Sequence, residues 1–129
     1  MAEMPEPPIN KDLASLNPEF RARLEKMLAR LAAAGHPFRV AEGHRTVQRQ
    51  VWLYASGRTR KGPKVTDKNG VTNRSNHQGG MAADCYPIGI KVIPPHADPI
   101  WEVLAEAAEA EGLFSGHRWG WDSPHVELK

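Results

Sequence analysis

The sequence predicts a single α+β domain, with about three helices packed on a small, largely antiparallel sheet. Three observations lead there. Two segments carry capping residues at both ends and apolar residues at helical spacing between them. The stretches between and after them hold short apolar runs of strand length, broken by glycine and proline. The chain itself, 129 residues of which 40% are hydrophobic and 25% charged, is long enough for one core and too short for two.

The first helix starts at Asn17, a capping residue followed by Pro18 at the first helical position, and Gly35 ends it. Phe20, Leu24, Met27, Leu28 and Leu31 recur at steps of three and four and form one core-facing stripe. Pro37–Gly43 alternates as a short strand, and a second helix runs from Thr46 to about Ala55, with Gly57 after it. Arg58–Asn76 is basic, polar and dense in turn signals, which makes it a long loop or a loose hairpin. A loop of that length in a small domain is often functional. Gly80–Tyr86 reads as a strand and Ile88–Ile93 as a further one.

The third helix has Asp98 as cap, Pro99 in first position and Gly112 at its end. Ile100, Trp101, Val103, Leu104, Ala107 and Ala108 supply its buried side. From Trp119 a turn leads into a final short strand, and residues 1–10 are expected to be a flexible N-terminal segment of the one domain, 1–129.

Composition excludes several classes of function. A net charge of +2 suits an anionic surface such as a cell envelope, but it is too small to indicate nucleic-acid binding. No stretch approaches the roughly 20 apolar residues of a membrane span. The N-terminus has neither the basic start nor the apolar centre of a signal peptide. The protein is therefore expected to be made in the cytoplasm, and any action on a wall in the periplasm requires a separate carrier across the membrane. Cys85, the only cysteine, forms no intramolecular disulfide and reads as a small buried thiol in an apolar run. No glycine-rich phosphate fingerprint is present.

Of six histidines, two have partners in the sequence. His77 opens His77-Gln-Gly-Gly-Met-Ala-Ala-Asp84, and His125 closes Asp122-Ser-Pro-His125. Gly79 and Gly80 argue against a helix over the first segment, so His77 is a loop residue folded beside a strand that carries Asp84. A lone carboxylate in that apolar run is costly to bury. Either a metal ion or a salt bridge to an arginine such as Arg45 would relieve it. With His125, the set fills the three protein positions of a catalytic zinc site, with a fourth left for water. Asp122 or Glu127 would take the proton of that water. If Val126 faces the core, His125 and Glu127 face together, and spacing does not separate the two carboxylates.

Ser75-Asn-His77-Gln-Gly-Gly80-Met-Ala82-Ala-Asp84 resembles the Ser-x-His-x-x-Gly-x-Ala-x-Asp signature of the zinc D-Ala-D-Ala metallopeptidase superfamily, whose fold is the hedgehog/DD-peptidase type. Trp121-Asp122-Ser-Pro-His125 looks like the closing motif of its phage L-alanyl-D-glutamate endopeptidases. Arg45 to Gln50, followed by Leu53-Tyr-Ala-Ser-Gly-Arg-Thr59, resembles their Arg-x4-Gln and Leu-Tyr-x-x-Gly-Arg-Thr segments. The resemblance covers about residues 38 to 128, with the motifs in order.

That resemblance implies zinc held by His77, Asp84 and His125, with Asp122 as general base. It implies Arg45 on the substrate carbonyl and its oxyanion, and Ser75 and Gln50 contacting substrate or orienting the loop. Related dipeptidases and carboxypeptidases tend to have glutamate in place of Asp122, so the aspartate points to the endolysin branch. The expected substrate is the peptidoglycan stem peptide, cut at the L-alanyl-D-glutamate bond by a monomer, with a pore protein admitting it to the wall. Two alternatives stand beside it: a D-Ala-D-Ala dipeptidase or carboxypeptidase on the same scaffold, and a non-catalytic zinc-bound binding module.

Overall fold

The computed structural model describes residues 5–129. Helix α1 (Pro18–Ala33) begins where the sequence indicates, with the Asn17 side chain accepting from the backbone N–H groups of Glu19 and Phe20. Strand β1 (Phe38–Glu42) leads into α2 (Val47–Ala55), which is capped by the Thr46 hydroxyl. Strand β2 (Ala82–Pro87) follows a single 3-10 turn at Asn76–Gly79. Helix α3 (Pro99–Ala110) is capped by Asp98, and β3 (Leu113–Ser115) and β4 (His125–Leu128) complete the chain. The four strands form one antiparallel sheet in the order β1-β2-β4-β3.

The core lies between one face of the sheet and helices α1 and α3. Phe20, Leu24, Met27 and Leu31 meet Trp101 and Leu104 there, above Ala83, Cys85, Leu113 and Val126 from the strands. Alternation along β2 decides the rest. With Ala83 and Cys85 turned to the core, Asp84 is left on the opposite face. A register irregularity in β1 between Val40 and Glu42 sets Glu42 across from Asp84, and β4 sets His125 across from Asp84 on the other side. Pairing alone thus gathers Asp84 and His125, with Glu42, at one level of the sheet.

The structure corrects one strand expectation. Ile88–Ile93 forms no strand: the β1–β2 ladder ends at Phe38 and Pro87, and Gly89 turns the chain away with φ of 85°. Ile88, Ile90, Val92 and Ile93 are exposed. Their β propensity is not realised, because the turn at Gly89 carries them off the sheet. Conversely, β3 is a short strand that the sequence reading did not expect. The 58–74 segment is a long loop, tied down from beneath by Gln50, whose amide donates to Lys68 O at 2.8 Å, and by Gln78, whose amide donates to Gly70 O at 2.9 Å.

The expected flexible segment falls partly on residues 1–4, outside the described residues. From Glu6 onward the chain has contacts: Arg49 bonds Glu6 and the Pro7 carbonyl, and Gly43 N–H donates to Asn10 O. Among the described residues no helix is long and apolar enough to cross a membrane.

Leu24 is fully buried at the centre of the α1 stripe. Leu24→Ala is expected to destabilise the fold by about 2–5 kcal/mol through lost burial and a residual cavity, to be measured as a lower midpoint in urea at unchanged slope.

Candidate metal centre and active-site cleft

The centre is built from three segments. The Ser75 hydroxyl caps the turn at Asn76–Gly79 by accepting from His77 N–H, while the Gln78 side chain accepts from Ser75 N–H. This reciprocal cap holds His77 at the start of the turn. Gly80 closes the turn with φ of 71°, and a β-carbon there would lie 3.0 Å from Asn17 N, so the position favours glycine on both counts. Strands β2 and β4 then supply Asp84 and His125.

One ligand atom from each of His77, Asp84 and His125 lies within 4.8 Å of the others, the only such group of three or more among the described residues. His77 Nε2 and His125 Nδ1 each approach Asp84 Oδ1 at 3.5 Å. The far nitrogens are engaged elsewhere. His77 Nδ1 donates to the Gly43 carbonyl at 2.8 Å, and His125 Nε2 donates to Glu127 Oε1 at 2.7 Å. These bonds leave His77 Nε2 and His125 Nδ1 as the inward-facing atoms, which is how outer partners orient histidine ligands. Two imidazoles and a carboxylate converging with their outer atoms satisfied are a donor set that fits zinc.

Arg45 shares the carboxylate. Its guanidinium reaches Asp84 Oδ2 at 3.3 Å, Glu42 Oε1 at 3.1 Å and Gln50 Oε1 at 3.2 Å, while its Nε has no partner among the described residues. The metal and salt-bridge alternatives for Asp84 therefore coexist geometrically, because each uses a different oxygen. Arg45 also lines the cleft over the centre. Gln50 does not: it is fully buried, bonded to Arg45, Thr66 Oγ1 and Lys68 O. Ser75 caps the loop and also lines the cleft.

Asp122 sits beside the centre, its Oδ2 3.6 Å from His125 Nδ1. Glu127 instead meets the opposite ring nitrogen and accepts from Asn76 Nδ2 at 2.9 Å. The two carboxylates have opposite environments. Burial raises the Asp122 carboxyl above the usual range, and Asp84 adds to this against the pull of His125. For Glu127 burial also acts upward, but the hydrogen bonds from His125 and Asn76 outweigh it and hold the group low. Burial raises Cys85 well above the usual thiol range, which agrees with an inert core residue.

The sequence reading missed what holds the Asp122–His125 segment. Ser123 is buried with its hydroxyl between His96 Nδ1 at 2.6 Å and His117 Nδ1 at 3.0 Å. A hydroxyl has one proton, so it donates to one ring and accepts from the other. Gly116 packs beneath: a β-carbon there would fall 2.2 Å from Asp122 O. Trp119 and Trp121 form one cleft wall, and Lys68 and Arg74 stand among the lining of the 58–74 loop. Tyr54 is not in the wall; Arg58 stacks on its ring at 3.8 Å.

A sequence model of the VanY, D-alanyl-D-alanine carboxypeptidase, family matches residues 13–110. Among solved structures, the chain resembles the Serratia marcescens L-Ala D-Glu endopeptidase ChiX at 25% identity and TM-score 0.59, over 91% of this chain and 83% of that one. It also resembles a vancomycin-resistance D,D-pentapeptidase VanY solved with Zn(II), at 18% identity and TM-score 0.60, over 88% of this chain and 72% of that one. A third, an L,D-carboxypeptidase DacB from Streptococcus pneumoniae, has 21% identity and TM-score 0.63 over 88% and 66%. The last two likenesses speak for the fold.

In the metal-free protein, burial lowers the His125 pKa, but the hydrogen bonds and charges of Asp84, Glu127 and Asp122 overcome this and raise it to about 9. An unfolded histidine titrates near 6.5, so the folded state holds the extra proton between these values. That stability is complete below about pH 6.5 and is lost as pH rises through about 9. Metal-free protein is expected to lose urea resistance steadily from pH 7 to 9.5, and His125→Asn to flatten that slope.

Proposed function

The chain belongs to the VanY, D-alanyl-D-alanine carboxypeptidase, family, and from that premise we propose that it is a zinc-dependent endopeptidase of peptidoglycan stem peptides, cutting the L-alanyl-D-glutamate bond. The observation that carries the reading is the convergence of His77 Nε2, Asp84 Oδ1 and His125 Nδ1 on one point, with Asp122 and Arg45 beside it in an open cleft. His77, Asp84 and His125 are the ligands in this reading. A zinc ion so bound lowers the pKa of a coordinated water from about 15.7 toward about 7.

The chain's own residues divide the remaining work. Asp122, raised by burial, is poised to accept the proton of the attacking water and return it to the leaving amine. Arg45, always charged and pinned by Asp84, Glu42 and Gln50, presents a fixed donor to the oxygen on which negative charge develops. Trp119 and Trp121 provide an apolar wall, and Lys68 and Arg74 suit the carboxylates of an acidic peptide. The choice of bond rests on Asp122 in the closing motif and on the likeness to ChiX. The second reading, release of terminal D-alanine, is favoured by the family match itself.

In its biological setting we place the enzyme as a lytic protein of the endolysin kind, monomeric and acting on the wall from the periplasm with a separate pore protein for passage. A pore-protein gene beside its own is the observation that would support this; a chromosomal setting free of phage genes would count heavily against it.

Purified protein is expected to carry about one zinc per chain and to lose wall-lysing activity on chelation, regaining it with zinc. Digested wall should show new free amine on glutamate; released D-alanine instead would select the carboxypeptidase reading. Asp122→Ala should keep zinc while hydrolysis falls by roughly 10²–10⁴-fold, the usual share of a general base. Full activity in that variant would remove Asp122 from the mechanism.

A further inference from the structure

Glu127 is a cleft carboxylate beside the centre that the proposed chemistry leaves unused, and Asn76 lies between Ser75 and His77. The two meet across the β2–β4 pair. Asn76 Nδ2 donates to Glu127 Oε2 at 2.9 Å, and Glu127 Oε1 accepts from His125 Nε2 at 2.7 Å. The register puts Glu127 opposite Ala82, two residues from His125 on the same strand face, with Val126 between them in the core. Glu127 therefore approaches His125 from the side away from Asp84, and each of its oxygens has a committed donor.

We propose that Glu127, fixed by Asn76, is a positioning residue: it holds the His125 ring with Nε2–H outward and Nδ1 toward the centre, and so sets the affinity of the site for zinc. This rests on the zinc reading above. His77 has an equivalent support in the Gly43 carbonyl, but with the ring reversed, Nδ1 outward and Nε2 inward. One histidine is thus oriented by a backbone carbonyl and the other by a carboxylate. The carboxylate also draws the ring proton and makes the inward nitrogen a stronger donor. A base role for Glu127 competes with the two hydrogen bonds it already accepts, one on each oxygen, and those donors favour its ionised form.

Zinc dissociation constants from chelator competition, read beside kcat at saturating zinc and the urea midpoint of metal-free protein, test this. Glu127→Ala is expected to bind zinc about 10–100-fold more weakly, and to regain activity as zinc is raised toward saturation. Asn76→Ala should show a smaller loss in the same direction. Glu127→Gln should recover most of the affinity, because its amide oxygen still accepts from His125 while Asn76 turns its own oxygen toward the new amide N–H.

If Glu127 is instead the base, Glu127→Gln will be as inactive as Glu127→Ala while zinc affinity stays at the wild-type value, and the proposal is overturned. It is equally overturned if only the metal-free stability changes. A wild-type protein that binds no zinc would sink the zinc reading itself, and the positioning role with it. That outcome is seen before any variant is made.

Discussion

The structure turns on the partial burial of one carboxylate. Asp84 sits in the second strand between Ala83 and Cys85, both fully buried. An ionised group in such a place is tolerated only if its charge is met. Its two oxygens are met differently. Oδ2 faces the Arg45 guanidinium, while Oδ1 faces both His77 and His125. The net direction of its pKa follows: burial pushes the carboxyl up, and the two histidines more than reverse this, so it stays ionised. An oxygen shared by two inward-facing ring nitrogens is the geometry a cation would complete. An oxygen held by arginine keeps the carboxylate from swinging away.

The demand for compensation propagates outward. Arg45 is itself mostly buried and takes a second carboxylate, Glu42, which in turn is bonded by Arg49. Arg49 reaches on to Glu6 near the start of the described chain. A run of alternating charges therefore links the N-terminal segment to the centre, and each member has its neighbour as counter-ion. Such buried pairs add little net stability, since desolvation offsets their attraction, but removing one partner strands the other. Their consequence is positional: Arg45 has very little freedom, and a rigid donor beside the cleft is what oxyanion stabilisation requires.

Much of this was legible in the sequence, and for identifiable reasons. The caps at Asn17, Thr46 and Asp98 are local signals, satisfied within a few residues, and all three helices start where they indicate. The gathering of His77, Asp84 and His125 was legible from chemistry, because a carboxylate in an apolar run needs an explanation. What depended on register was not. Glu127 and Asp122 are indistinguishable by spacing, and only the pairing of β2 with β4 shows that one faces each side of the His125 ring. Gln50 stands in a motif but is buried beneath the loop it supports. His96 reaches His117 and Ser123 from a distant segment, and no local pattern marks the three. The 88–93 run shows the converse, strand-forming residues that the turn at Gly89 carries off the sheet.

The two carboxylates flanking His125 show how one fold separates roles that composition leaves identical. Asp122 precedes a buried serine clamped by two histidines, over a glycine that leaves room for its carbonyl. It is thereby held close to the centre with no hydrogen-bond donor among the described residues, and burial lifts its proton affinity. Glu127 stands on a regular strand with a donor for each oxygen, and those donors lower its proton affinity. A group that must exchange a proton during each turnover is served by the first environment, and a group that must stay ionised and fixed by the second. The separation is made by hydrogen bonds and by which side of the imidazole each group meets. On that physical ground the proposed mechanism gives the proton to Asp122 and not to Glu127.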